Sequence, residues 1–587
     1  MRRMGSDGWK IRSGAVFLLA GLLASQGCGV GEGRAQAGAL ERPVPSTDPV
    51  RAPHGMVVSQ SAIASEVGAR VLEAGGNAVD AAIATGFALA VTHPTAGNIG
   101  GGGFMVIRFP DGRATTLDFR EKAPMAARPE MFLDEDGEYA FDRHHNSHVS
   151  VGVPGTVAGF WQAHQQYGSE TWSALVDPAV ELAAEGFPVS EGLAEGLEWL
   201  LGQARDRGYQ GTIDAYSNQG RPYQEGETLR LPDLSRTLGR IRDEGRDGFY
   251  QGETARLLAE EMARGGGLIT EADLASYQAV ERAPVRGSYR GYELISMPPP
   301  SSGGVALVEM LNILEGYDLG ALGHNSPAYL HLLAESMRRA FLDRARYLGD
   351  PDFNEMPLDH LMDKGYATEL RAGIDQAMAT PSDSVQVEMA YESPETTHYS
   401  VVDQGGMAVS VTYTLEFGYG SRITVPGAGF LLNNEMGDFN GKPGVTNSMG
   451  LIGTPANLAR PGQRMLSSMS PSIVAKDGRL VAVIGTPGGR TIINTVLQVF
   501  LNVVDFGMNI QEAVNAPRIH HQWLPDRLRI EEGGLDETGL AALRAMGHDV
   551  SMGGEQGSAN SIMIDPGSGD RLGAPDPRSA DAGAAGH

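Results

Sequence analysis

The most informative stretch of the chain is residues 396–403, which read TTHYSVVD. Their β-branched and aromatic side chains predict a strand. The next residues, QGG at 404–406, predict a three-residue hairpin turn in which glycine can take a positive φ. Residues 407–415 then predict the returning strand. The pattern therefore predicts an antiparallel hairpin over 396–415.

The register of this hairpin determines which side chains meet. If Asp403 faces Met407, then Thr396 faces Thr414 at the open end. Directly opposed residues have Cβ atoms about 4.5–5.5 Å apart. A slip of one residue would separate them. This register predicts two neighbouring threonine hydroxyls.

Threonine is common in strands, and most strand threonines are structural. It becomes a strong nucleophile when it is the first residue of a chain, because its own α-amine can act as the base. Thr396 would need the Glu395–Thr396 bond to be cut first. No serine elbow or evident Ser-His-Asp set competes with it.

Several ordered motifs resemble the γ-glutamyltranspeptidase (glutathione hydrolase) family of the N-terminal nucleophile hydrolases. Residues 396–402 resemble the start of that family's small subunit. Upstream, 75–104 and DFRE at 118–121 also match, and the resemblance extends from about residue 53 to 580. The remaining matches are NNEMGDF at 433–439 with NN(E/Q)MDDF, LSSMSP at 466–471 with LSSMxP, PGG at 487–489 with the family's glycine pair, and NAPRIHHQ at 515–522 with NAPRxHHQ.

The resemblance implies an α+β fold, the four-layer αββα sandwich of N-terminal nucleophile hydrolases. It also implies a precursor that cleaves itself between Glu395 and Thr396. The products would be a large subunit, 56–395, and a small subunit, 396–587, which stay together as a heterodimer.

The implied substrate is a γ-glutamyl amide such as glutathione, and the implied acceptor is water, an amino acid or a peptide. Thr396 would attack the γ-carbonyl, with its amine as the base and Thr414 orienting its hydroxyl. The backbone N–H groups of Gly488 and Gly489 would hold the oxyanion.

The γ-glutamyl head is a zwitterion and needs partners of both charges. The guanidinium fork of arginine matches a carboxylate bidentately. The resemblance assigns the α-carboxylate to Arg120, Ser467 and Ser468. It assigns the α-amine to Glu416, Glu435 and Asp438.

Three positions depart from the family's pattern. Glu416 stands where many members carry Asn, and Gly437 replaces the first Asp of the usual pair. In the loop 441–454, which matches a lid in bacterial members, Met449 stands where a tyrosine gate is common. A thioether can cover a pocket but offers no hydroxyl to fix a gate. We therefore expect hydrolysis to be favoured over transfer.

His144, His145 and His148 have a spacing that could suggest a metal site. No carboxylate or cysteine frame surrounds them and the segment reads as a loop, so a solvated or structural role is favoured. We expect no metal and no cofactor.

Composition excludes several classes of protein. The 587 residues carry a net charge of −26, which argues against a nucleic-acid partner. The single cysteine, Cys28, excludes disulfides within the chain, four-cysteine zinc sites and iron–sulfur clusters.

The N-terminus reads as an export signal, residues 1–27, with basic residues before an apolar run at 15–24. Two alternative processing sites fit this pattern. Cys28 resembles a lipoprotein site, although Gln26 fits it poorly, and AQA at 35–37 is a second cleavage pattern. Residues 28–55 read as a linker. We expect an exported protein, periplasmic or extracellular, tethered to the membrane if Cys28 is lipidated.

The rest of the chain carries signals for several helices, a glycine run and a tail. Helices are predicted around 63–71, after a cap at Asn77, and over 326–347 and 492–504, with a mainly helical region at 155–390. The glycine run 100–103 predicts close backbone packing, because no Gly-Lys-Ser/Thr follows it. The end of the tail after 565 is expected to be mobile.

Two other functions fit parts of this pattern. A cephalosporin (glutaryl) acylase of the same fold would share the nucleophile but replace parts of the zwitterion pocket. An uncleaved, inactive binding protein would not preserve Thr396, Thr414 and the glycine pair.

Overall fold

The computed structural model describes residues 46–382, 396–446 and 453–587. The predicted signal peptide, Cys28, Glu395 and Met449 lie outside these ranges.

The helices of the described ranges are, in chain order, α1 Ala62–Glu73, α2 Ala78–Thr92, α3 Phe141–His145, α4 Thr156–Tyr167, α5 Trp172–Glu185, α6 Glu191–Arg207, α7 Gln210–Tyr216, α8 Pro232–Glu244, α9 Asp247–Tyr250, α10 Gly252–Gly265, α11 Glu271–Ser276, α12 Gly303–Leu314, α13 Leu319–Leu322, α14 Pro327–Tyr347, α15 Leu358–Leu361, α16 Lys364–Ala372, α17 Thr491–Val504, α18 Ile510–Asn515 and α19 Glu537–Ala545. Short 3₁₀ turns occupy His148–Ser150, Glu435–Asp438 and Pro455–Asn457.

The strands of the same ranges are β1 Val50–Ala52, β2 Met56–Ser59, β3 Gly102–Arg108, β4 Ala114–Phe119, β5 Phe187–Pro188, β6 Thr228–Leu229, β7 Val280–Arg282, β8 Val285–Tyr289, β9 Tyr292–Ser296, β10 Thr397–Val402, β11 Ala408–Thr414, β12 Ser472–Lys476, β13 Arg479–Ile484, β14 Ile519–His520, β15 Leu528–Ile530, β16 Val550–Met552, β17 Ser561–Ile564, β18 Arg571–Ala574 and β19 Gly583–Gly586.

Two seven-stranded antiparallel sheets form the centre of the molecule. The first has the order β19-β2-β10-β11-β3-β4-β7, and the second has the order β1-β18-β17-β13-β12-β9-β8. A hydrogen bond between them runs from the backbone N–H of Ser472 to Ser410 Oγ, at 3.1 Å. The hairpin of residues 396–415 supplies β10, which pairs with β2, and β11, which pairs with β3.

Helices cover the outer face of each sheet. Alternate residues of the hairpin, such as Tyr399 and Val411, pack with α1, α2, α4 and α5. The opposite face, including Val402, packs with residues of the second sheet such as Ile473, and α12, α14 and α17 cover that sheet's far side. The layers are helix, sheet, sheet, helix, which is the predicted αββα sandwich.

The local helix signals are confirmed. Asn77 caps α2 with a capping box, in which its side chain accepts from Asp80 N and the Asp80 side chain accepts from Asn77 N. The glycine run packs as predicted, because a Cβ at Gly101 would overlap the carbonyl oxygen of Thr414. The helices at 326–347 and 492–504 are α14 and α17.

The region 155–390 is mainly helical, as predicted, and it also contains the strands β5 to β9. Two other expectations were wrong, and both concern strands whose pairing partners are distant in sequence. The end of the expected linker forms β1, which pairs with β18 about 520 residues away. The end of the tail, expected to be mobile, forms β19, which pairs with β2.

The tail strand β19 reads GAAG and pairs with β2. Its small residues fit a narrow space, because a Cβ at Gly583 would lie against Ala62 at 2.6 Å. Glycine and alanine in this strand therefore reflect close packing against α1 rather than mobility. No helix in the described ranges is long and apolar enough to cross a bilayer.

Candidate active site

The two threonines predicted to be neighbours are neighbours. The β10–β11 register pairs Thr397 with Tyr413, which is the predicted register. Thr396 Oγ1 donates to Thr414 Oγ1 over 3.4 Å, and both residues are buried. The hairpin therefore ends in two hydroxyls held together by the strand register.

The Thr414 hydroxyl is fixed by a second donor. The backbone N–H of Glu416 donates to Thr414 Oγ1 at 2.9 Å. Glu416 has φ +78°, a left-handed conformation that turns the chain back just after β11. This turn joins the hydroxyl pair directly to a residue with a carboxyl side chain.

Gly488 and Gly489 lie between β13 and α17, in the turn that begins the helix. Gly488 has φ +135°, and its carbonyl accepts from the N–H of Thr491 at 3.0 Å. The end of β13 lies against β10, because a Cβ at Gly485 would overlap the His398 ring. Backbone N–H groups at such a helix start can hold an anion.

A buried arginine faces a group of acids. Arg120 follows β4 and is fully buried. Its Nη1 lies 2.5 Å from Glu435 Oε2 and 3.5 Å from Glu121 Oε2, and its Nη2 contacts Asp438 Oδ2. We call Arg120, Glu121, Glu416, Glu435 and Asp438 the charged pocket.

Burial and mutual repulsion shift the acids of the charged pocket. Burial raises the pKa of Glu121 to about 8, against the opposing effect of Arg120. Burial also raises the pKa values of Glu416 and Glu435 well above the ordinary range of a glutamate. For Arg120, burial is outweighed by the nearby carboxylates, chiefly that of Glu435, and its pKa is raised.

One guanidinium therefore faces four carboxyl groups. A cation brought into the pocket would be stabilised by these carboxyl groups. The open side of the pocket is at Asp438, whose side chain is 39% exposed, whereas that of Arg120 is 0% exposed. A cationic ligand group would thus reach Asp438 first.

The two serines lie directly beyond Arg120. Arg120 Nε donates to the carbonyl of Met465 and Nη2 to that of Leu466, both at 3.4 Å, and the chain continues into Ser467 and Ser468. Ser468 Oγ accepts from Arg344 Nη2 at 3.1 Å. The structure therefore brings the predicted carboxylate-binding residues together, with an arginine that sequence reasoning did not single out.

Comparison with known proteins identifies the family. The model of the gamma-glutamyltranspeptidase family matches residues 64–586. The chain belongs to the γ-glutamyltranspeptidase family.

The chain is 49% identical over 541 residues to the glutathione hydrolase proenzyme of Escherichia coli strain K12, covering 92% of this chain and 93% of the relative. Among solved structures it is similar to a cephalosporin acylase from Bacillus halodurans, with TM-score 0.83 and 28% identity, over 93% of this chain and 98% of that one. The γ-glutamyltranspeptidase of Helicobacter pylori matches with TM-score 0.55 and 44% identity, over 59% of this chain and 97% of that one. The sandwich is that of the N-terminal nucleophile hydrolases.

The three spaced histidines have different partners. His144 Nε2 lies 3.0 Å from the carbonyl of Met436, and His148 Nε2 lies 2.8 Å from Glu261 Oε1. His145 Nδ1 lies 3.2 Å from Glu416 Oε1. Across the described residues, no group of three or more metal-ligating side chains comes together.

Sequence reasoning missed His145 and Glu121 as members of the site. Glu121 could have been found, because it directly follows Arg120 in a matching motif. His145 had no such signal, because its segment carries no family motif and its contact to Glu416 joins residues far apart in the chain. The roles assigned to Glu395 and Met449 lie outside the described residues.

Proposed function

We propose that the protein is an autoprocessing γ-glutamyl hydrolase and transferase that acts on γ-glutamyl amides such as glutathione. The observation that carries this proposal is the link between nucleophile and pocket. Thr396 bonds Thr414, Thr414 accepts the N–H of Glu416, and the Glu416 side chain belongs to the charged pocket. A reactive hydroxyl is thus joined to a zwitterion-binding site through one short turn.

Processing would be intramolecular. Thr396 Oγ attacks the carbonyl carbon of Glu395, the acyl group moves from nitrogen to oxygen, and the C–N bond breaks. Water then hydrolyses the ester. This frees the α-amine of Thr396 and divides the chain into 56–395 and 396–587, together with whatever of the N-terminus remains after export.

In the processed enzyme, Thr396 Oγ attacks the γ-carbonyl of the substrate. The freed α-amine takes the hydroxyl proton and passes it to the leaving amine. The N–H groups of Gly488 and Gly489 stabilise the oxyanion, and such a donor typically contributes about 3–4 kcal/mol to lowering a barrier. Water or an acceptor amine then attacks the γ-glutamyl ester and releases Thr396.

Substrate binding exchanges internal ion pairs for pairs with the ligand. Arg120 contacts Asp438 and Glu435. An incoming α-carboxylate would bind Arg120, with Ser467 and Ser468 beside it, while the α-ammonium would bind the acids that Arg120 gives up. The two charges must arrive together, because either alone would leave a buried charge unpaired.

The proposal is tested by turnover of γ-glutamyl-p-nitroanilide beside glutaryl-p-nitroanilide, which lacks the α-amine. We expect kcat/KM to be at least about 100-fold higher for the γ-glutamyl compound, since a buried charge-assisted contact contributes about 1.5–3 kcal/mol and the acids provide more than one. Equal turnover would indicate an acylase of the same fold. A quenched reaction should also show the 396–587 fragment heavier by one γ-glutamyl group.

We further propose that hydrolysis predominates. The support is Met449, which lacks the hydroxyl of a tyrosine gate. Glutamate should exceed γ-glutamyl-glycylglycine at modest glycylglycine concentration, and Met449→Tyr should increase the transferred share. Predominant transfer by the unmodified enzyme would contradict this proposal.

Export is also part of the proposed function. Its support is the basic and apolar pattern of residues 1–27, with Cys28 as a lipidation candidate. Fractionation of a host that expresses the full chain should find the protein outside the cytoplasm. Labelling with a radioactive fatty acid, with and without Cys28→Ser, would show whether it is lipid-anchored.

A further inference from the structure

His145 contacts the one acid of the charged pocket that departs from the family's usual residue. It ends α3, and its Nδ1 lies 3.2 Å from Glu416 Oε1. Its ring is stacked on Phe417, with centroids 5.1 Å apart and planes at 2°. It also contacts the Phe141 ring, at 4.6 Å between centroids, and the His144 ring, at 4.4 Å. The imidazole is therefore packed among three rings.

The side chain of Asn434 hydrogen-bonds to the backbone on both sides of this contact. Its Nδ2 donates to the carbonyl of His145 at 3.2 Å, and its Oδ1 accepts from the N–H of Phe417 at 3.1 Å. Its own N–H donates to the carbonyl of Leu415 at 3.0 Å. One asparagine thus fixes the end of α3 relative to the turn that carries Glu416.

A second departure from the family's pattern lies at the same place. A Cβ added to Gly437 would lie within 3.0 Å of His145 Nδ1 and of both Glu416 carboxylate oxygens. Real Cβ atoms essentially never come that close to another atom. A side chain at 437 would therefore require His145 and Glu416 to move from the positions in which they contact each other.

We propose that His145 is a positioning residue that directs the Glu416 carboxylate toward the α-ammonium of the substrate, and that Gly437 provides the space this pair needs. The three residues act as a specificity unit for the amine end of the ligand. The inference rests on the proposed function and deepens it, because it concerns the recognition of one group of the γ-glutamyl head.

The position of Glu416 connects these three residues to the rest of the charged pocket. The groups that influence Glu416 electrostatically include Asp438, Arg120 and Glu121, so its carboxyl lies within reach of the rest of the charged pocket. Its side chain is 11% exposed and that of His145 is 12% exposed, so both are nearly buried. His145 Nδ1 lies beside Oε1, and Oε2 has no hydrogen-bond partner among the described residues, which leaves that oxygen for the ligand.

The test compares two competitive inhibitors, L-glutamate and glutarate, which differ by the α-amine. Inhibition constants are measured on processed enzyme with γ-glutamyl-p-nitroanilide as substrate. His145→Phe keeps an aromatic ring beside Phe141 and Phe417 but removes the nitrogen. We expect a KM and a glutamate inhibition constant about tenfold higher, with the glutarate constant and kcat changed less than about twofold.

Two further variants keep the test informative if His145→Phe is poorly processed. His145→Asn retains a polar group near the position of Nδ1 and should keep most of the preference for glutamate over glutarate. Glu416→Gln keeps the shape and loses the charge, and should lose that preference as His145→Phe does. His360→Asn, an exposed histidine remote from the site in α15, serves as the matched control and should behave as the unmodified enzyme.

A mutant cycle tests the role of Gly437. Gly437→Ala should raise KM about tenfold alone, but less than about twofold when His145 is already Ala and Glu416 is already Asn, because both neighbours of the added methyl group are then shorter. Additive effects, or equal changes in the glutamate and glutarate constants of His145→Phe, would overturn the inference. If the unmodified enzyme does not turn over γ-glutamyl-p-nitroanilide at all, the proposed function itself fails.

Discussion

The hydroxyl pair and the charged pocket are built in different ways, although the short turn at Glu416 joins them. Thr396 and Thr414 meet because two adjacent strands have one register, and their contact needs no charge. The charged pocket draws its side chains from separate segments and balances four carboxyl groups against one buried guanidinium. The reacting end is therefore fixed by the backbone, and the recognition end is fixed by side-chain electrostatics. Changes at the two ends should differ accordingly, in kcat for the first and in KM or pH dependence for the second.

The largest effect is expected from Thr396→Ala. Without the hydroxyl, neither chain cleavage nor acyl transfer can begin, so we expect an uncut chain and a loss of turnover of more than about 10⁴-fold. Thr397→Val is the matched control, because the Thr397 hydroxyl is buried and has no hydrogen-bond partner among the described residues. The comparison needs mass spectrometry for cleavage and p-nitroaniline release for turnover. Cleavage of Thr396→Ala would contradict the role of this residue.

A smaller effect on the same step is expected from Gly488→Ala. Its φ of +135° is unfavourable for alanine, and a Cβ there would overlap Thr491 Oγ1, so the turn and its N–H donors must move. We expect kcat to fall about 10²–10³-fold with little change in KM. Gly478→Asn, in the β12–β13 turn, is also at positive φ but has open space around it, and it should keep full kcat. A change in KM alone for Gly488→Ala would remove the oxyanion assignment.

The pocket should respond mainly through KM. Arg120→Lys keeps the positive charge but replaces the planar fork that contacts two carboxylates, so we expect KM to rise about 10–100-fold with kcat changed much less. Initial rates over a range of γ-glutamyl-p-nitroanilide concentrations separate the two constants. Thermal unfolding of the same preparation serves as the control for folding. A loss confined to kcat would place Arg120 at the reacting end instead.

The smallest effect concerns stability. Burial raises the pKa of Glu121 from 4.5 to about 8, so between these values the folded protein holds a proton that the unfolded chain releases. Stability should therefore fall as pH rises through this range. Glu121→Gln should flatten that slope by up to about 1.4 kcal/mol per pH unit, the limit for one proton. Thermal midpoints from pH 5 to 8 measure it, with the exposed Glu66→Gln as the control. An unchanged slope would mean that Glu121 is ionised throughout.

The same contrast explains what the sequence could predict. The hairpin register followed from the turn at residues 404–406, and the cap of α2 followed from Asn77, because these signals are local. The edge strands β1 and β19 could not be predicted, since each depends on a partner more than 500 residues away. Residues within family motifs, such as Arg120 and Ser467, were found through the resemblance.

The pairing within the charged pocket could not be predicted. The sequence assigned Arg120 and Asp438 to opposite ends of the ligand, and the structure pairs them with each other. Burial of both charges at one place makes that pairing favourable. His145 was judged solvated or structural, and only its position against Glu416 and Gly437 gives it a place in the site. Contacts of this kind depend on tertiary structure and leave no periodic signal.

The central claim is that Thr396 becomes the N-terminal nucleophile of a small subunit. Intact mass and N-terminal sequencing of the purified protein test it most directly. We expect a fragment of 192 residues, 396–587, that begins TTH. A single uncut chain that stays uncut on incubation would contradict the claim, and Thr396 and its amine could then not serve as the working catalytic groups.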